Sequence, residues 1–284
     1  MAIYNYNSEN LSQAYSYDGN ALDYAYNKSG EIVYERDSRP LLTVMSFNVQ
    51  KQLQMNTLDF QRQMITTYTP DVIGLQEYRT VSDDRYQEYP YETNSNGYVV
   101  NYEGIVSKFQ MTDIENAAYQ NAGPSGDNRG YNLCHIDVGG RDITFINTHL
   151  MTVGEEMRRL QTLELIDLVA NSDYFIITGD FNTALTPSST VADTDYINVY
   201  KPFIDLGCSV ANNSVETGFN ATYYWYDTTQ QQFTQVTCPD SIIVSPNINI
   251  TNVVIDQSKL SIAQQEGYLR EIDHLPVIAT LRIN

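Results

Sequence analysis

Clustered cysteine is missing from this sequence: Cys134, Cys208 and Cys238 stand far apart, with no C-x-x-C spacing. That argues against a zinc ribbon or a disulfide framework, and scattered core thiols are expected. Long hydrophobic runs are missing too. No stretch of eighteen apolar residues occurs, so no membrane-spanning helix is expected. The opening MAIYNYNSENLSQAY has neither a basic patch nor an apolar segment and does not read as a secretory signal, so a cytoplasmic or phage-associated protein is expected. Positive charge is scarce: sixteen Lys and Arg stand against thirty-five Asp and Glu, a net charge of −19, and Arg158–Arg159 is the only adjacent basic pair. A protein that grips nucleic acid by neutralising phosphates usually carries a basic face, so tight non-catalytic binding is disfavoured. An acidic enzyme that reaches phosphate through a bound cation is not.

What is present is ample for folding. The chain has 284 residues, of which 42% are hydrophobic and 18% charged, enough for one large or two small domains. The first forty residues differ from the rest. LSQAYSYDGNA (11–21) and LDYAYNKSGEI (22–32) align at a period of eleven, matching Leu11 with Leu22, Tyr15 with Tyr26 and Gly19 with Gly30. Short Tyr-rich runs punctuated by Asp-Gly and Ser-Gly read as β-hairpin turns, one per repeat. They resemble Tyr/Gly repeats of phage tail and surface proteins. Residues 1–39 are therefore expected to be a β-rich appendage that docks or engages a protein partner, ahead of a catalytic domain over 40–284.

From Pro40 the pattern becomes that of an α/β domain. Strands are expected at PLLTVMSFNV (40–49), DVIGLQE (71–77), YEGIVSKF (102–109), FIITGD (175–180), SIIVS (241–245) and LPVIATLRI (275–283). YNLCHIDV and DITFINTHL flank Gly139–Gly140 as a hairpin. Phe60, Met64 and Tyr68 share one face of a helix ended by Pro70. A second helix is expected over 152–170, with a Thr152/Glu155 capping box and an apolar face of Met157, Leu160, Leu163, Ile166 and Val169. Hairpins mixed with strand–helix–strand units predict sheets that are not purely parallel. TYYWYD (222–227) reads as an aromatic strand packed in the sheet, the alternative being a protruding membrane-facing hairpin.

These apolar runs share a feature: polar residues suited to hard-metal or phosphate chemistry stand at their ends. They are Asn48, Glu77, His149, Asp180 with Asn182, Asp240, and Asp273 with His274. Taken singly, each is an ordinary turn or solvated strand end. However, two of only three histidines, His149 and His274, fall at such ends, while His135 lies within a strand and reads as a core or surface residue. Glu77, Asp180 and Asp273 with Asn48 and Asn182 supply oxygen ligands that suit Mg²⁺ or Mn²⁺ and not zinc. The histidines offer proton transfer near neutral pH, and Asp240 can orient one of them. No Gly-rich phosphate loop, Ser or Cys nucleophile motif or H-E-x-x-H is present. Metal-assisted hydrolysis of a phosphate ester by water remains.

In order along the chain, SFNV (46–49), LQE (75–77), INTHL (146–150), GDFN (179–182), PDSIIVS (239–245) and IDHLPV (272–277) resemble the motifs of the endonuclease/exonuclease/phosphatase superfamily, the fold of deoxyribonuclease I. The resemblance spans residues 41 to 284. It implies a four-layer sandwich, two packed mixed β-sheets between helices, with the site where these loops meet. It also implies that Glu77 is the principal metal ligand, helped by Asn48 and Asp273. Asp180 would position or deprotonate water, and Asn182 would donate to a phosphate oxygen. His149 and His274 would stabilise and protonate the transition state, and Asp240 would orient His274. Two positions depart from the family: Ile272 replaces a usual Ser, and Cys238-Pro239 precede Asp240 where Arg-Ile is common. Glu103 is a candidate carboxylate partner for His149. The activity implied is a phosphodiesterase, foremost a nuclease acting on DNA or RNA. The alternatives are a sphingomyelinase-like or inositol-phosphatase-like enzyme and a non-catalytic structural module.

Overall fold

The structure, a computed structural model, describes residues 13–16, 22–26, 32–37, 39–49, 55–78, 86–93, 102–121, 129–183, 193–214, 221–227, 229, 232–258 and 273–284. Strands β1 (Gln13–Ser16), β2 (Leu22–Tyr26) and β3 (Ile32–Asp37) form a three-stranded antiparallel meander, with β1 in the first eleven-residue repeat, β2 in the second and β3 starting where the second ends. The turns between them lie outside the described residues.

Two six-stranded sheets follow. The first has the order β16-β17-β4-β5-β7-β6, from β4 (Leu41–Asn48), β5 (Val72–Gln76), β6 (Tyr91–Glu92), β7 (Glu103–Ser107), β16 (Ile248–Val254) and β17 (Val277–Ile283). The second has the order β12-β15-β11-β10-β9-β8, from β8 (Met111–Ala118), β9 (Gly130–Val138), β10 (Arg141–His149), β11 (Phe175–Asp180), β12 (Ser209–Val210) and β15 (Asp240–Val244). Both sheets are mixed, since β4 runs parallel to β5 and β10 parallel to β11 while their other neighbours run antiparallel. This is the packed sandwich that the resemblance implies.

Side chains alternate across each strand, so the central strands of the sandwich show one face to the other sheet and one to the helices. Leu42, Val44, Ile143, Phe145, Ile176, Ile242 and Val244 belong to the apolar cluster between the sheets. Helix α1 (Met55–Tyr68) covers the first sheet with Phe60, Met64 and Ile65. Helix α2 (Glu155–Val169) and a π-helical turn (Tyr196–Tyr200) continuing into α3 (Lys201–Asp205) cover the second, with Leu165, Val169, Val199 and Phe203 on Ile146, Ile177 and Ile243. The start of the sandwich is tied to its end: Arg39 Nη1 donates to Asn284 Oδ1 at 2.5 Å, and Ile283 N donates to Pro40 O at 3.1 Å.

Three local expectations need correction. Helix α2 has no Thr152 cap: Gly154, at φ 100°, is the N-cap and makes no side-chain capping bond, while Thr152 Oγ1 accepts from Arg129 Nη2 at 2.8 Å. A positive φ at the cap suits glycine, and it starts the helix two residues later than a Thr152 cap would. The buried face of α2 is also rotated from the expected one. It carries Arg158, Gln161, Thr162, Leu165 and Val169, whereas Leu163 is exposed. Buried Arg158 donates to Asp195 at 2.7 Å and to the carbonyls of Met151 and Thr152. Finally, TYYWYD does not join a large sheet. Strand β13 (Tyr223–Asp227) pairs with β14 (Gln232–Thr237) in a two-stranded ribbon of its own.

Candidate active site

Three consecutive strands of the second sheet bring three site residues side by side. His149 is the cross-strand neighbour of Asp180, and Asp180 of Asp240. All three are buried and share the alternation of Phe145, Ile176 and Ile242, so they face the first sheet. From that sheet Asn48 reaches across, its Nδ2 donating to Asp180 Oδ2 at 2.9 Å. The imidazole Nε2 of His149 lies 3.3 Å from the same oxygen and that of His274 4.0 Å. Asp180 Oδ1 accepts from Asn182 N at 2.9 Å. Asp180 is thus the focus of the site, held on one oxygen by its own turn and approached on the other from both sheets.

His274 is fixed from several sides. Its Nδ1 lies 2.8 Å from Asp240 Oδ2, which leaves Nε2 directed toward Asp180. Main-chain bonds flank it: Tyr224 N donates to Asp273 O at 2.7 Å and Leu275 N to Thr222 O at 2.8 Å. The Tyr223 ring packs against the imidazole with centroids 5.0 Å apart. Burial alone would lower the pKa of His274, but the charge and hydrogen bond of Asp240, with the charges of Asp273 and Asp180, push it up to about 10. The ring is therefore an imidazolium at neutral pH, and the shift registers a strongly negative site.

Glu77 follows Gln76, the parallel neighbour of Asn48, and so stands at the same end of the first sheet. Glu77 and Asn182 both have positive φ, 55° and 47°. For residues other than glycine this costs on the order of 1 kcal/mol, a strain that clusters at functional sites. Asp273 adjoins His274, just before β17, whose Val277 pairs with Ser46. Asn48, Glu77 and Asp273 therefore lie at one end of the sandwich, an amide and two carboxylates of the hard-oxygen kind that suits a divalent cation. The raised pKa of His274 agrees with that fit, because a cation would neutralise the same charges. Asp180, Asp240 and His274 also offer ligand atoms within 4.8 Å of one another, although the Asp240–His274 hydrogen bond already uses one pair.

The stretch FIITGDFN resolves into two elements. Strand β11 ends at Asp180, and an Asx-type turn follows in which Asn182 N bonds back to the Asp180 carboxylate. Asn182 does not continue the strand alternation; its Nδ2 donates to Leu150 O at 2.8 Å, anchoring the segment after His149. Phe181 between them is fully buried under the helices. Turn chemistry and site chemistry coincide here. Glu103 lies close to His149, as the sequence suggested. It is fully buried beside the main chain of His149, and burial holds its carboxyl well above the usual range against the opposing charge of Arg129. The Asp180 carboxylate lies 3.3 Å from His149 Nε2.

His135 is a partly exposed strand residue paired with Asp142 at 3.0 Å, far along β9 from the site end. Ile272 lies outside the described residues. Sequence reasoning missed Tyr223 as the ring beside His274. It also missed a buried polar layer of Ser46, Gln76, Asn147 and Thr178, although three of these stand two residues before Asn48, His149 and Asp180. Period-two alternation already places them on the site face.

A two-sheet sandwich whose strand ends converge as a carboxylate–histidine–amide cluster defines a class of phosphoester hydrolases. The chain belongs to the endonuclease/exonuclease/phosphatase family, whose model matches residues 45–253. Among curated proteins, none matches this chain by sequence. Solved structures share the fold at low identity. TDP2 of D. rerio, complexed with a single-strand DNA product, superposes with a TM-score of 0.61 at 16% identity, over 85% of this chain and 99% of that one. A family protein of Bacteroides vulgatus gives 0.61 at 18%, over 86% and 99%. The Bacteroides thetaiotaomicron mannosyl-6-phosphatase gives 0.59 at 17%, over 84% and 99%.

Proposed function

We propose that the protein hydrolyses a phosphodiester with a divalent cation, Mg²⁺ or Mn²⁺, and that its substrate is a nucleic acid. The observation that carries this reading is the convergence of Asn48, His149 and His274 on one oxygen of Asp180 across the two sheets. Asn48, Glu77 and Asp273 would hold the cation, which when bound supplies positive charge to the phosphoryl oxygens. Asp180 orients the attacking water and takes its proton, since its second oxygen is pinned by Asn182 N. Asp240 holds the Nδ1 side of His274, so that Nε2–H of the imidazolium points at the developing negative charge. His149 donates from the opposite side of Asp180. Asn182 spends one amide hydrogen on Leu150 O, and the other remains for a phosphate oxygen.

The TDP2 neighbour with a DNA product supports the nucleic-acid reading. The mannosyl-6-phosphatase neighbour, together with the net charge of −19, supports a second one in which the substrate is a small phosphate ester. We also take residues 1–39 as an appendage for a protein partner, separate from the catalytic domain over 40–284.

Purified protein with Mg²⁺ is expected to nick plasmid DNA, and EDTA or His149→Ala to abolish nicking. Intact plasmid and RNA alongside hydrolysis of bis-p-nitrophenyl phosphate would move the substrate to the small-ester reading. Failure to cleave any phosphoester with any divalent ion would end the enzyme reading.

A further inference from the structure

Beneath the catalytic side chains lies a second polar layer with no role in the chemistry described so far. Asn147 is its centre, fully buried between the sheets. Its Nδ2 donates to Leu75 O at 2.8 Å and to Gly104 O at 3.2 Å, both on the first sheet. Its Oδ1 accepts from Gln76 Nε2 at 2.6 Å on the first sheet and from Thr178 Oγ1 at 3.1 Å on the second. Both amide hydrogens are thus engaged, while Oδ1 takes a full bond from Gln76 and shares the single Thr178 hydroxyl proton with Ile146 O, which lies 3.2 Å from that hydroxyl. Room for the bridge depends on Gly74: a Cβ there would stand 1.9 Å from Thr178 Oγ1 and 2.5 Å from Asn147 Oδ1. A side chain in that position would push the sheets apart at this level.

We propose that Asn147 is a positioning residue that holds the two halves of the site in register, the Asn48–Glu77 half on the first sheet and the His149–Asp180 half on the second. This rests on the phosphoester-hydrolase reading above. Each member of the layer lies within two residues of a site residue on or just past its own strand. Asn147 and Thr178 precede His149 and Asp180 by two residues on the same strand face, and Gln76 immediately precedes Glu77. Gln76 also carries the register to Asn48, because its carbonyl accepts from Val49 N at 2.9 Å. The Asn48–Asp180 hydrogen bond spans the same gap one level up and is short only if the sheets keep this spacing. Neutral amides suit the role: they fix distance and rotation between the sheets without adding to the negative charge above them. Among the described residues Gln76 Oε1 is the one layer atom left without a partner, and the bonds that are made favour one packing of the interface, where apolar contacts alone tolerate sliding.

The test compares Asn147→Leu, which keeps volume and removes all four hydrogen bonds, with the milder Thr178→Val. Phe145→Leu serves as control, a change on the same strand face at the apolar end. Three quantities are read: the Mn²⁺ dissociation constant by calorimetry, kcat and KM on bis-p-nitrophenyl phosphate, and the thermal midpoint. Loss of a group supporting metal ligands is worth about 10- to 100-fold in affinity or rate, so Asn147→Leu should weaken Mn²⁺ binding about 10-fold and lower kcat by at least as much. Thr178→Val should move both in the same direction by a smaller factor. Phe145→Leu should lower the thermal midpoint while leaving Mn²⁺ affinity and kcat within about twofold, since it supports no ligand. Wild-type Mn²⁺ affinity and kcat in both polar-layer variants overturns the proposal, as does an equal loss in Phe145→Leu. If Asn147→Leu does not fold, Thr178→Val against Phe145→Leu decides alone. Wild-type protein that binds no Mn²⁺ and cleaves no phosphoester overturns the hydrolase reading and the proposal with it, before any variant is made.

Discussion

The two ends of the space between the sheets are built from the same strands in the same alternation, yet they have opposite chemistry. At one end β4 contributes Leu42 and Val44, β10 Ile143 and Phe145, β11 Ile176, and β15 Ile242 and Val244. Further along the same faces those strands carry Ser46 and Asn48, Asn147 and His149, Thr178 and Asp180, and Asp240, all buried. Apolar side chains at the first end gain roughly 1.5–3 kcal/mol each from burial. Buried polar groups at the second end gain little unless every one is partnered, and unpartnered charge is costly. One end therefore holds the sheets together so that the other can keep water-handling groups dry and fixed. Stability and chemistry are divided along the strands, with the Asn147 layer as the seam.

That division predicts opposite outcomes for substitutions a few residues apart. Asp180→Asn removes the proton acceptor while keeping shape, and activity should fall by about 10³-fold, within the range for a general base. Its stability should fall by about 1–3 kcal/mol, since the new amide NH2 faces either Asn48 Nδ2 or Asn182 N in place of an acceptor. Phe145→Ala, on the same interface, should destabilise by about 3–5 kcal/mol through the cavity it leaves. Activity per folded molecule should stay near wild type. Steady-state kinetics and chemical denaturation on both proteins check this together, and a large activity loss in folded Phe145→Ala would erase the contrast.

Titration sharpens the comparison, because the raised pKa values of interest lie at the polar end. His274 is pushed up to about 10: burial opposes the shift, and Asp240, Asp273 and Asp180 outweigh it. Its folded pKa exceeds the unfolded value of 6.5, so its contribution to stability is complete below about pH 6.5 and lost as pH rises toward 10. Glu103, raised by burial, has the same sign over a lower window that starts at its ordinary 4.5. Wild-type stability should therefore decline on the alkaline side in metal-free buffer, and His274→Gln should flatten the decline between about pH 6.5 and 10. Denaturant midpoints measured across that window are the check, and an unchanged slope in His274→Gln would remove the imidazolium from the argument.

Much of this is legible in the sequence. Period-two alternation located the strands of the sandwich core, and polar residues at their ends identified Asn48, His149, Asp180, Asp240 and His274, which the fold gathers at one end. Alternation could not show which polar strand residues are partnered. Asn147 and Thr178 read as neutral positions inside apolar runs, because their hydrogen bonds come from strands distant in sequence. The same blindness rotated helix α2. An apolar period selects Met157, Leu160 and Leu163, but Arg158 and Gln161 are the buried ones, since Asp195, Met151 and Asn121 supply their partners. Asn182 shows how a local bond sets a side chain's direction. The turn that follows Asp180 breaks the strand geometry, and a local hydrogen bond to a carboxylate decides where the amide points.

The smallest expected effect lies outside both ends, at the start of α2. There the sequence offered Thr152 as a cap and the fold uses Gly154. With no capping bond to lose, Thr152→Ala forfeits only the hydrogen bond from Arg129 near the surface and should change stability by about 0.5 kcal/mol or less. A true cap would cost about 1 kcal/mol. Gly154→Ala must force an L side chain to φ 100°, and should cost at least the 1–2 kcal/mol of a left-handed residue. Thermal midpoints of the two variants rank these positions directly. The reverse order would restore the Thr152/Glu155 cap and shift the true start of α2 back toward His149.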